Sequence, residues 1–132
     1  MFSDRGFLRE IRKRCVKSFL DMIIATILTE KASWGYDIIA EIYEKLHVLL
    51  SPGVVYPILY SMERRGFVKS YEKNRRRFYE ITDRGIKWLN QMLDAYRFTS
   101  TAVNTIFFRG ISENSSINNN VVVNNRSSTV KI

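Results

Sequence analysis

With 132 residues, a formal charge of +8 and 45% hydrophobic residues, the chain is long enough for one compact core and too short for two. One cysteine and one histidine exclude an internal disulfide and a cysteine or histidine cluster for a metal, and they leave no Ser-His-Asp or Cys-His constellation. With no GxGxxG or P-loop either, the sequence reads as neither an enzyme nor a cofactor binder, and its positive charge points to a polyanion as partner, nucleic acid first.

Residues 1–17 form a basic N-terminal helical extension. Phe7, Leu8 and Ile11 begin an apolar stripe that Cys15, Val16, Phe19, Leu20, Ile23, Ile24, Ile27 and Leu28 continue at helical spacing. The pattern is one long amphipathic helix, or two in tandem, ending near Lys31, with Cys15 expected as a small core residue. Arg9, Arg12, Lys13 and Lys17 lie off the stripe and suit solubility, with phosphate contact as the alternative. Basic residues ahead of the apolar stretch 22–28 suggest a signal peptide, but Asp21 and the lack of a small-residue cleavage site argue against one. No apolar run reaches the length of a membrane span, so a cytoplasmic chain without a membrane partner is expected.

After a break at Ser33-Trp34-Gly35, Tyr36 and Asp37 open a shorter amphipathic helix carrying Ile38, Ile39, Ile42 and Leu46, the supporting helix of a helix-turn-helix. Leu50-Ser51-Pro52-Gly53-Val54-Val55-Tyr56-Pro57 then begins the reading helix. Ser51 is placed to cap it through its side chain, and Pro52 suits the first helical position, where an N–H would have no partner. Val55, Ile58, Leu59 and Met62 make its buried side, leaving Gly53, Val54, Tyr56, Pro57 and Tyr60 outward as base-facing candidates. Pro57 costs about 3 kcal/mol in an ordinary helix interior and is expected to shape the chain rather than meet DNA. Tyr56 suits a ring in the core with its hydroxyl reaching a phosphate.

Gly66 stops this helix. Two aromatic and β-branched runs, 67–71 and 78–81, follow as a hairpin with Lys73-Asn74 supplying its turn. Lys69, Lys73, Arg75, Arg76 and Arg77 decorate it, suited to phosphates or a narrow minor groove; the alternative is a sheet edge guarded by charge. Four phosphate contacts would give a slope of log affinity against log salt of about −4. Residues 18–82 thus read as a winged helix-turn-helix, one helix in a major groove and the wing along the backbone. The fold class is mostly α with a small β-hairpin.

Residues 83–109 read as a C-terminal helix in which Ile86, Leu89, Leu93, Tyr96, Val103 and Phe107 recur at spacings of three and four. Such a seam calls for a partner helix. A two-fold homodimer supplies one, from its mate or from the other chain's N-terminal helix around Phe19; the rival is an intrachain pairing with the first helix. A dimer sets two reading helices about 34 Å apart, matching a pseudo-palindromic operator on double-stranded DNA. Residues 110–132, rich in asparagine and serine, read as a flexible tail, with a strand at Val121-Val122-Val123 as the alternative.

Gly35-Tyr36-Asp37-Ile38, Leu50-Ser51-Pro52-Gly53 with Tyr56-Pro57, Glu63-Arg64-Arg65-Gly66-Phe67-Val68, and Arg76-Arg77 leading to Thr82-Asp83-Arg84-Gly85 resemble the PadR family of winged-helix transcription regulators over roughly residues 18–96. The resemblance implies a dimeric repressor with a single dimerisation helix after the wing, and it places Ser51, Gly53, Tyr56, Arg76 and Arg77 near DNA; Tyr36 is a further DNA-binding candidate. Val54 stands where the family usually has threonine, and Tyr60-Ser61 where lysine or arginine is common. Readout through phosphates, thymine methyls and DNA shape is therefore expected, on an A·T-rich operator. Some family members bind aromatic compounds at the dimer interface; Trp88, with Trp34, is the candidate lining for a small hydrophobic effector, and simple core packing is the alternative. Two readings from other classes stay open: a winged-helix protein-interaction module without specific DNA binding, and an amphipathic membrane-surface protein resting on the basic first helix.

Overall fold

The computed structural model describes the backbone of residues 5–114 and the side chains of residues 5–110. Residues up to Asn90 form one compact unit and those from Gln91 onward a second. The elements run α1 (Arg5–Ser18), α2 (Leu20–Glu30), β1 (Ser33–Trp34), α3 (Gly35–Leu46), α4 (Pro52–Arg64), β2 (Val68–Lys73), β3 (Arg76–Ile81) and α5 (Asp83–Asn114).

The first apolar stripe is two helices, not one. Phe19 leaves the helical region at φ −123°, ψ 25°. Just before it, the Ser18 hydroxyl donates to the Arg14 carbonyl at 2.9 Å, a local bond that competes with helix propagation. The Asp21 carboxylate then accepts from the Met22 N–H at 2.8 Å, at a helix start where negative charge is favoured. The break resets the helical phase. In α2 Leu20, Met22, Ile24, Ala25, Ile27 and Leu28 are buried, whereas in α1 only Val16 is. Cys15, expected in the core, is exposed, as are Phe7, Leu8 and Ile11 of the same stripe, because α1 buries only Val16 against the rest of the first unit.

The Ser33-Trp34 break is itself a strand. β1 pairs antiparallel with β3, Ser33 opposite Tyr79 and Trp34 opposite Phe78, so the sheet has three strands in the order β1-β3-β2 rather than a hairpin's two. α3 buries Gly35, Ile38, Ile39 and Ile42, and closes on His47 in the left-handed region, whose N–H donates to the Tyr43 carbonyl.

Ser51 is the N-cap of α4 in extended conformation, yet its side chain makes no cap bond. Its backbone carbonyl accepts from the N–H groups of Val54 and Val55 at 3.0 and 3.2 Å, and Pro52 at the first position leaves one N–H fewer to satisfy. At the other end Arg65 caps the helix and Gly66 turns left-handed at φ +82°. The Phe67 N–H returns to the Met62 carbonyl and the Gly66 N–H to that of Glu63, the paired bonds of a Schellman stop. Val55 and Leu59 of α4 are fully buried among Leu20, Ile24, Ile38 and Ile42; truncating such a residue costs about 2–5 kcal/mol.

In the wing, Val68 to Lys73 pair with Ile81 to Arg76, leaving Asn74 and Arg75 as the loop, both at positive φ (54° and 64°). This is a two-residue type I′ turn, whose twist matches that of the strands. The turn is therefore Asn74-Arg75, one residue later than Lys73-Asn74. Thr82 ties the wing's base to the last helix: its hydroxyl donates to the Gly66 carbonyl at 2.6 Å and accepts the Gly85 N–H at 3.0 Å.

α5 passes the expected end at 109 and continues to Asn114. Gly110 within it has open space around it, and one glycine costs a helix only about 1 kcal/mol. The reading of 115–132 as a tail, with its Val121-Val122-Val123 alternative, lies outside the described residues. Leu89 is buried within the first unit at 4% exposure, so it belongs to this chain's own core and not to a seam. In the second unit Phe98, Ile106 and Phe107 are 79%, 62% and 66% exposed. Among the described residues no helix is long and apolar enough to cross a membrane.

Candidate nucleic-acid interface

At about 100° per residue, Val55, Leu59 and Met62 put the buried side of α4 opposite Gly53, Pro57, Tyr60 and Arg64, all exposed. These four form the outward face. Tyr56 and Glu63 lie on one flank, towards α3 and the wing; Ile58 and Arg65 lie on the other, towards α1 and α2. Val54 and Tyr56, read as base-facing, are partly covered flank positions.

A chain of ring contacts joins the wing to this helix. The Arg76 guanidinium lies 4.4 Å from the Trp34 ring centre, Trp34 meets Tyr36 at 5.3 Å, and Tyr36 meets Tyr56 edge-on at 6.4 Å. Strand β1, which the sequence did not disclose, makes this link by setting Trp34 beside β3. Gly35 makes the last contact fit, since a Cβ there would overlap the Tyr56 ring and hydroxyl. Burial, and then the neighbouring Tyr36, push the Tyr56 phenol up from its ordinary value, so it stays a neutral hydrogen-bond donor across the physiological range. Its hydroxyl lies beside Gly35.

Five basic side chains against two acidic ones occupy the wing from Val68 to Ile81, and their surroundings separate them. Arg77 donates to the Ser70 hydroxyl at 2.6 Å, which donates to the Glu63 carboxylate at 2.6 Å, a relay that ties β3 through β2 to α4. Lys69 pairs with Glu80 at 3.8 Å, both substantially exposed, a pair worth less than about 1 kcal/mol. Arg76 rests against the Trp34 ring. Lys73 and Arg75 are exposed at the tip, where among the described residues neither has an ion pair or ring contact; they are the cations most available to a polyanion.

Of the candidate DNA-facing residues, Tyr36, Gly53, Tyr60, Lys73, Arg75 and Arg76 are exposed, as is Ser51 at the start of α4. Arg64 escaped the sequence reading. Its guanidinium sits 5.8 Å from the Tyr60 ring, and the four-residue spacing on an outward face was a legible signal. Ser70 and Glu63 carried no such signal, because their partnership with Arg77 exists only in the strand register. Trp88 stacks on Phe67 at 4.6 Å and 15°, in line with core packing rather than an open effector site.

Residues 24–91 match the model of the family described as "Transcriptional regulator PadR-like family". Among solved structures, the chain is similar to a transcriptional regulator from Clostridium thermocellum at 30% identity, covering 70% of this chain and 93% of that one with a TM-score of 0.65. It is also similar to a PadR family transcription regulator from Clostridium difficile R20291 at 28% identity, covering 67% and 98% with a TM-score of 0.63. A PadR-like transcriptional regulator from Bacillus cereus, at 24% identity, 71% and 96% coverage and a TM-score of 0.65, supports the fold alone.

Proposed function

The chain belongs to the PadR-like family of transcriptional regulators, and from that premise we propose that this DNA-binding regulator is a dimeric repressor that occupies a promoter and excludes polymerase. α4 enters a major groove with Gly53, Pro57, Tyr60 and Arg64 towards the bases, while Lys73 and Arg75 take phosphates or a narrow minor groove. The observation that carries this reading is the unbroken run Arg76–Trp34–Tyr36–Tyr56, which makes reading helix and wing one surface.

Arg64 is the only outward side chain on α4 able to fork onto a guanine, so sequence preference rests mainly on apolar contact and shape, and favours an A·T-rich site. The second copy docks through Leu93, Tyr96, Val103 and Phe107 of α5, with Ile86 and Phe19 at the margin. Leu89 has no part in it. Two-fold symmetry then places two reading helices about one DNA turn, roughly 34 Å, apart on a pseudo-palindrome. Electrophoretic retention of the DNA upstream of its own reading frame tests this: binding in the range of about 10⁻⁸ M or tighter, falling steeply with salt, is expected. Equally weak binding to every duplex would instead favour a protein-interaction module.

A further inference from the structure

Basic residues on the flank of α4 away from the wing have no part in the interface described so far. Tyr56 and Arg65 are nine residues apart, about two and a half turns, so they stand on opposite flanks of α4 with the outward face between them. Against the Arg65 flank, α4 and the α1–α2 junction enclose an open groove of about 300 Å³, lined by Lys17, Asp21, Pro57, Ser61 and Arg65, with Leu20 and Met62 at its floor. Two cations face one carboxylate there, and that carboxylate already accepts the Met22 N–H. The Arg65 guanidinium lies 4.7 Å from the Phe67 ring centre, a contact that uses none of its hydrogen-bond donors and leaves them for an oxyanion. Positive charge predominates along α1 as well, where Lys13, Arg14 and Lys17 share a face at spacings of three and four and line, with the single carboxylate of Glu10, a second shallow groove.

A helix seated in a major groove runs between two sugar–phosphate backbones. The wing serves one of them. Resting on the DNA-binding reading above, we infer that Lys17 and Arg65 form a phosphate clamp for the other backbone, with Lys13 and Arg14 extending it along α1. On this account α1 is a DNA-contacting element and its charge is not merely a solubility device. Pro57 and Ser61, small and uncharged on the lip of the groove, let the backbone approach both cations at once.

The test compares Lys17→Ala/Arg65→Ala and Arg75→Ala with the unaltered chain on the same duplex, by salt-dependent retention and hydroxyl-radical footprinting. The double variant is expected to lose affinity about equally for all sequences, with the log–log salt slope shallower by about 2. It should also lose protection on the backbone across the groove from the wing. Arg75→Ala should lose the wing's protection and keep the clamp's. A double variant whose slope and footprint match those of the unaltered chain overturns the clamp. If Arg75→Ala still weakens binding, the regulatory reading survives that result; if the unaltered chain shows no salt-sensitive binding, both fall. Should removing Arg65 from Phe67 impair folding, Lys17→Glu alone decides: it must weaken binding more than Lys17→Ala, and equal affinities would overturn the clamp.

Discussion

Replacing Gly35 by alanine tests the link between wing and reading helix with a single methyl group. The added Cβ would stand 2.8 Å from Cε1 of Tyr56 and closer still to its Cζ and hydroxyl, against an ordinary contact distance of about 3.5–4.0 Å. The ring must therefore shift by roughly 1–2 Å. Because the obstacle is a side chain, it can move without breaking the fold, but it then gives up its edge contact with Tyr36. Overpacking of this kind costs about 1–3 kcal/mol. Opposing it is the gain from replacing glycine in a helix, at most about 1 kcal/mol and less at the first position of α3. Gly35 is not in the left-handed region, so backbone strain adds nothing.

The net expectation is a loss of about 1–2 kcal/mol, read as a lower urea midpoint at unchanged slope. Operator affinity should fall as well, under conditions where the variant is fully folded, because the surface carrying Tyr36 and Arg76 no longer abuts Tyr56. A double-mutant cycle separates this cause from a general effect on α3. Tyr56→Ala removes the obstacle, so Gly35→Ala should cost little or nothing in its presence, a coupling of about 1–3 kcal/mol. Tyr56→Phe, which removes the hydroxyl, should recover part of that. Additivity of Gly35→Ala and Tyr56→Ala to within about 0.5 kcal/mol would refute the proposed contact.

Arg75→Gly should raise stability by up to about 1 kcal/mol, since Arg75 occupies a left-handed turn position that glycine adopts freely, while weakening binding to all sequences and flattening the salt slope by about 0.9; unchanged binding in a retention assay would remove Arg75 from the interface. Ser70→Ala breaks the bridge between Arg77 and Glu63 and should lower the chain's stability by about 1–2 kcal/mol in a denaturant titration; no measurable loss would mean that the relay is not held in solution. Leu93→Glu/Phe107→Glu should sediment as a monomer with poor operator affinity while the first unit melts normally, and a dimer that survived both charges would remove the proposed seam.

The reading helix was legible because its boundaries depend on residues with few alternatives: Pro52 where an N–H is surplus, and Gly66 where a left-handed turn follows. The α1–α2 boundary was not, since the apolar spacing runs unbroken through Phe19 and only the local bonds of Ser18 and Asp21 interrupt it. Strand β1 was illegible for a different reason. Two residues cannot display an alternating pattern, and Ser33 and Trp34 are a strand only because β3 lies alongside. The wing arginines show the limit most clearly, for three consecutive residues of one chemistry received three environments: Arg75 solvent, Arg76 the Trp34 ring, Arg77 the Ser70 hydroxyl. Strand alternation and a neighbouring strand sorted them, and neither is visible in the letters.

Three departures from local preference, of which the sequence disclosed the proline, fall on one surface. Pro57 interrupts the hydrogen bonding of α4 on its exposed side, at a cost that a helix serving only the core would have no reason to bear. Arg75 takes a backbone conformation that disfavours side chains, at the tip where its charge projects farthest. Gly35 opens a helix with a weak helix former, next to a tyrosine that needs the room. A chain selected for stability alone would replace Pro57 and Arg75, and would replace Gly35 as well if Tyr56 did not fill the space beside it. That all three border the surface joining α4 to the wing is what a contact with a partner outside the chain explains, and it explains them together, whereas solubility accounts for Arg75 and neither of the others.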